Sequence, residues 1–189
     1  MSWDKGFNFR ATSGFVTDGA TETYVLGADT YPTTRNGVTF GWDSAVSDVN
    51  RDAANDRRIA AIHFGSSART FRVDLPEAAD FLIHLGLGDT AQAADHSSIE
   101  FKDTTSSLFT VTNDRNVGTY RWTDATGTQY AFTVWPGSET AVQKTFATTT
   151  LNAVLTTPDG FWTHSHIALS QVPSAIIAAK ILFRNRAYV

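Results

Sequence analysis

The 189-residue chain contains no cysteine, which excludes a disulfide framework and thiolate metal sites. It has one methionine and five prolines, and only 18% of its residues are charged. A net charge of −4 offers none of the basic excess that nucleic acid or an anionic membrane surface selects. No stretch approaches the roughly 20 consecutive apolar residues of a membrane span. Residues Met1 to Gly6 lack the basic-then-apolar pattern of a secretory leader. Also missing are a Gly-x-Ser-x-Gly elbow, a His-Glu-x-x-His helix and a glycine loop able to cradle phosphate. These absences point to a protein without catalytic residues, cofactor, nucleic-acid partner or membrane partner.

What remains is polar without being charged. Threonine alone accounts for 27 residues, and 12% of the chain is aromatic. Both residue types suit a pleated, half-wet surface, so the bias favours strands. Apolar-alternating runs recur between turn signals at Phe7–Phe9, Tyr24–Leu26, Val38–Trp42, Ile59–Phe64, Ala68–Leu75 and Phe81–Leu87. They continue at Ile99–Lys102, Leu108–Thr112, Thr119–Thr123, Tyr130–Trp135, Thr145–Leu155 and Trp162–Leu169. Such a series predicts an all-β antiparallel sandwich, with Tyr120–Trp135 as its clearest hairpin. Ser44–Arg58 has weak helical periodicity and reads as a long loop with one helical turn at most. The length suits one domain, assigned to residues 1–172, followed by a C-terminal arm over 173–189.

The centre of the chain is the most explicit part. Phe71, Val73 and Leu75 alternate with Arg72 and Asp74, as a half-buried strand requires. Pro76 cannot donate to a ladder and ends that strand. Phe81, Ile83 and Leu85 then alternate with Leu82, His84 and Gly86, a pattern for a strand buried on both faces near a sheet centre. These six apolar residues are the predicted core.

The Phe7-Asn8-Phe9 start, the Gly37-Val38-Thr39-Phe40-Gly41-Trp42 turn and the Arg51-Asp52 pair that follows resemble a known pattern. So do Thr70–Pro76, Phe81 to Gly88-Asp89, and the Phe161–Leu169 segment. Together they resemble the malectin-like, galactose-binding-like sandwich modules found in front of pectin-degrading esterases and lyases. The resemblance spans roughly residues 7–172 and rests on packing and turn residues. It implies a jelly-roll sandwich of a carbohydrate-associated type. The sequence departs from that pattern in having no appended catalytic domain, and in Trp162-Thr163-His164-Ser165-His166, where the family has plain apolar and Asn residues.

Several constellations invite chemistry. Gly88-Asp89-Thr90 suggests an esterase turn, but Thr replaces Ser and no Asp-x-x-His follows, so a strand-end turn is the stronger reading. His164 and His166, two apart on a strand, are expected to share a face and could share a metal, a third ligand having to come from His84, His96 or a carboxylate. Two ligands do not make a site, and a wet strand face outweighs a metal. Asp43, Asp48, Asp52 and Asp56 fall in one loop region but match no Ca²⁺ motif, and Arg51, Arg57 and Arg58 offer them ion pairs. Aromatic rings stack on the C–H faces of sugars, so Tyr31, Trp42, Trp122, Trp135 and Trp162 are candidate platforms. Tyr31 and Trp135 lie at loops, where binding residues concentrate, and Trp42 stands in the resembling turn.

The tail after Pro173 carries Ile176, Ile177, Ile181, Leu182 and Phe183, with Lys180, Arg184 and Arg186 beside them. It reads equally as an extra element on its own domain or as an arm packing on another copy. Two functional readings follow. One is a non-catalytic structural component of a virion, such as a capsid decoration or tail protein, with copies of itself and a shell or tail protein as partners and possible glycan affinity. It would be made in the cytoplasm without a signal peptide and displayed on a virion or other extracellular assembly. The other is a stand-alone carbohydrate-binding module for surface or plant-type polysaccharide.

Overall fold

Leu75-Pro76 marks the point where the chain crosses from one sheet to another. A computed structural model describes residues 3–11, 22–50, 61–87, 97–112, 120–124, 129–132 and 142–173, which are all-β. The strands are β1 (Asp4–Arg10), β2 (Glu22–Leu26), β3 (Thr33–Arg35), β4 (Val38–Trp42), β5 (Ser47–Asn50), β6 (Ala61–Gly65), β7 (Arg69–Asp74) and β8 (Asp80–Leu87). They continue with β9 (Ser98–Asp103), β10 (Ser106–Thr112), β11 (Tyr120–Asp124), β12 (Gln129–Phe132), β13 (Val142–Thr145), β14 (Thr150–Thr156) and β15 (Trp162–Gln171). A seven-stranded sheet runs β13-β8-β15-β1-β2, with β6 pairing β15 and β5 pairing β6. An eight-stranded sheet runs β12-β11-β10-β9-β14-β7-β4-β3. Among the described strands pairing is antiparallel except between β1 and β2, which run parallel, and Thr30 adds an isolated parallel bridge to Trp42.

The two sheets enclose one apolar layer, as a sandwich-like fold requires. Phe7 and Phe9 of β1 meet Phe71 of β7 edge-on, with ring centroids 5.6 and 4.9 Å apart. All six predicted core residues are buried: Phe71, Val73, Phe81 and Ile83 have no exposure, Leu85 has 1% and Leu75 has 5%. Each such side chain contributes about 1.5–3 kcal/mol by leaving water. β8 is buried on both faces through its second half, from Ile83 to Leu87, and it sits beside the central β15. The Tyr120 hairpin also forms, with Tyr120 opposite Phe132 and Trp122 opposite Tyr130.

Two expectations fail for identifiable reasons. Thr145–Leu155 is two strands, not one: β13 joins the seven-stranded sheet and β14 the eight-stranded sheet. Between them Phe146 turns into the core, and Asp103 takes the backbone N–H of Ala147 at 2.6 Å and the Thr148 hydroxyl. Leu75 N–H to Thr149 O at 2.8 Å ties this corner to the Leu75-Pro76 corner. Within Ser44–Arg58, Ser47–Asn50 forms β5, an edge strand that pairs β6 from Ser47↔Phe64 to Asn50↔Ala61. Its four residues are exposed or half-buried, so neither face of the strand records a core. Residues 51–60 lie outside the described residues, as do Gly88-Asp89, Trp135 and the arm beyond Pro173.

β3 was not expected at all. It closes on β4 through Asn36-Gly37, both at positive φ (49° and 72°), the conformation a tight hairpin turn demands of its central pair.

Candidate functional site

Along β7, Phe71 and Val73 face the core, so Thr70, Arg72 and Asp74 face outward. The same alternation puts Lys102 of β9 outward, and Asn152 and Val154 of β14. With β14 between β7 and β9, these side chains form one polar strip on the outer face of the eight-stranded sheet. The β2–β3 loop brings Tyr31 over one edge of that strip. The result is a cleft of about 410 Å³ lined by Tyr31, Asp43, Thr70, Arg72, Lys102 and Asn152. That volume falls within the range of small-ligand sites.

Tyr31 is held from several sides. Its N–H donates to Trp42 O at 2.8 Å, and Trp42 N–H donates to Asp29 O at 2.9 Å. Asp29 is itself anchored, accepting from Leu26 N–H at 2.7 Å and from the Arg35 guanidinium. Gly41 lets this segment lie against β4: its φ is +150°, and a Cβ there would stand 2.7 Å from Tyr31 Cα. The Tyr31 hydroxyl donates to Asp74 Oδ2 at 3.0 Å, and the Arg72 guanidinium lies 4.1 Å from the ring centroid. Burial and the bond to Asp74 push the phenol upward from its ordinary value of 10, so it stays a neutral donor at physiological pH.

The two cations of the cleft are each paired with a carboxylate. Arg72 reaches Asp74 Oδ1 at 3.1 Å and Lys102 reaches Glu100 at 3.0 Å. Bonds from Ser107 and Lys102 hold the Glu100 carboxyl below its ordinary range, opposite to the direction a general acid needs. Asn152 donates to Thr104 O at 3.0 Å, which fixes the amide plane.

The other sequence candidates fall elsewhere. Trp42 is a correction: it has no exposure, stacks on Trp162 at 5.5 Å and donates to His63 Nδ1 at 3.1 Å. Its indole is core packing and offers no face to a sugar. Trp162 is buried likewise. His164 and His166 do not share a face. A bulge between them inserts an extra residue, so Trp162 and His164 point into the core, and Ile167 and Leu169 resume it afterwards. His164 packs on Phe9 at 4.6 Å, whereas His166 turns away from that core and bonds Glu22 at 2.9 Å; both rings are fully buried, so the face is not a wet one. Asp48 accepts Gly27 N–H at 3.0 Å and Asp43 lines the cleft, while Asp52 and Asp56 lie outside the described residues. Among the described residues no three His, Asp or Glu side chains gather as a metal site.

The sequence reading placed Tyr31 at a loop but missed Arg72, Lys102 and Asn152. Their outward positions follow from strand alternation; their convergence follows from the order β9-β14-β7, which local pattern does not encode. No known protein family, curated protein or solved structure matches the chain.

Proposed function

We propose that the protein is a non-catalytic module that binds carbohydrate in the Tyr31 cleft, on a jelly-roll sandwich of the galactose-binding-like type its motifs resemble. The observation carrying this reading is the immobilised Tyr31 ring at the edge of a polar cleft. An aromatic face attracts the apolar C–H side of a sugar, while fixed amide, hydroxyl and guanidinium groups select its hydroxyl pattern. Pinning the ring in advance reduces the ordering cost of binding. The downward shift of Glu100 and the neutralised Arg72 and Lys102 support a binding role over acid–base chemistry. On a printed array of plant, fungal and bacterial glycans, the protein should bind a defined subset, and Tyr31→Ala should abolish that binding. Binding unaffected by Tyr31→Ala overturns the assignment.

The second reading, a structural component of a virion or comparable assembly, is carried by the apolar segment with Ile176, Ile177, Ile181, Leu182 and Phe183. Contiguous apolar residues of this kind mark interfaces.

A further inference from the structure

A second depression, about 190 Å³, opens where β6 turns into β7, lined by Ser47, Phe64, Ser66, Ser67 and Arg69. Alone it is too small for a typical ligand site. Its groups nonetheless lack internal partners. The Ser47, Ser66 and Ser67 side chains are exposed, and no hydrogen bond satisfies their hydroxyls within the described residues. Arg69 donates from one nitrogen, to Ala68 O at 2.8 Å. Beside them stands Phe161, 45% exposed and the one large hydrophobic so exposed among the described residues. A single exposed ring is ordinary. A ring propped edge-on against Phe64 at 5.8 Å, next to unpaired hydroxyls and a guanidinium, repeats the chemistry of the Tyr31 cleft.

The two depressions are neighbours. The segment from Asp43 to Val46 separates them, with Asp43 lining one and Val46 the other. Asp43 N–H to Thr70 O at 2.9 Å and Val46 N–H to Gly27 O at 2.8 Å hold that segment down. Arg69 precedes Arg72 by three residues on β7, about 10 Å by strand rise, and leaves the opposite face of the strand, so a ligand reaching both depressions passes around the end of β7 at Ala68. The second depression is also rigid. Trp162 Nε1 donates to Ser67 O at 2.7 Å, and Gly65 packs so closely that a Cβ would come within 2.7 Å of the indole.

Resting on the carbohydrate-binding reading above, we infer that the ligand is an oligosaccharide longer than one sugar, spanning both depressions, with Phe161 and Arg69 as its second contact. A one-sugar ligand has no use for the second set of groups. A chain occupying the first cleft presents its next units to the second at high effective concentration, so weak contacts there raise affinity for length.

The test is the same glycan array, printed with fragments of graded length, read with the protein and with Phe161→Ala/Arg69→Ala. Both residues reach solvent, so circular dichroism should show an unchanged fold. The double variant should bind the longest fragments about tenfold more weakly and the shortest equally well. Tyr31-dependent binding that is insensitive to the double variant overturns this inference and leaves the carbohydrate reading standing. Equal loss on short and long fragments also overturns it. Retention that depends on Phe161 and not on Tyr31 overturns the cleft assignment, and no retention on any glycan overturns both.

Discussion

Acid should unfold this protein through its core, before its surface carboxylates protonate. His63 has no exposure, and its two ring nitrogens are both engaged. Trp42 Nε1 can only donate, so His63 Nδ1 accepts from it at 3.1 Å; the Arg10 carbonyl can only accept, so Nε2 donates to it at 3.1 Å. The neutral Nε2–H tautomer follows, and a proton on Nδ1 breaks the bond to Trp42. Burial lowers the His63 pKa from 6.5 to about 4, and burial beside His63 and His166 holds His164 well below 6.5. Above pH 6.5 these groups are neutral folded and unfolded, and stability does not depend on them. Below 6.5 the unfolded chain takes up protons that the folded chain refuses, so stability falls as pH drops. The gap for His63 amounts to about 3 kcal/mol once pH reaches 4. Urea unfolding between pH 6.5 and 5 should show a slope approaching ~1.4 kcal/mol per pH unit from His63, with His164 adding to it in the same direction. His164→Phe should make that slope shallower. It should also be at least as stable at pH 7.5, because both His164 nitrogens are buried without a hydrogen-bond partner among the described residues. A stability that stays flat from pH 6.5 to 5, or a slope unchanged in His164→Phe, would refute this reasoning.

Three further outcomes are expected. Phe81→Ala removes a fully buried ring that contacts Trp3 and Phe146 edge-on, and should cost about 3–5 kcal/mol in chemical denaturation. Gly41→Ala places a Cβ against the Tyr31 backbone at a φ of +150°, so it should lower the melting temperature and weaken glycan binding together. Deleting residues 174–189 should leave the circular dichroism spectrum of the sandwich intact and reduce the oligomer size seen by light scattering.

Strand positions were legible where one face is buried, because alternation then records the core directly, as in Phe71-Arg72-Val73-Asp74-Leu75. They were illegible at β5, where neither face is buried and Ser47–Asn50 carry no contrast. The Thr145–Leu155 run concealed a change of sheet, since the residue that breaks it, Phe146, is as apolar as a strand would ask. Asn36-Gly37 was a readable hairpin signal for β3 that went unused. The His164/His166 pair shows a different limit: two-residue spacing implies one face only while the ladder is regular, and the bulge at Ser165 reverses it. Aromatic candidates divided by neighbours that the sequence does not reveal. Trp42 is surrounded by Phe9, His63, Phe71 and Trp162, whereas Tyr31 is held at the rim by Asp74 and Arg72.

Amide chemical-shift mapping during titration with the strongest array glycan tests the binding cleft most directly. Shifts should concentrate at Tyr31, Thr70, Arg72, Lys102 and Asn152 on the outer face of the eight-stranded sheet. The opposite outer face, with Leu82, Gln143 and Ser170, should stay unchanged. Shifts confined to that opposite face, or a bound glycan that leaves Tyr31 and Arg72 unmoved, would contradict the account.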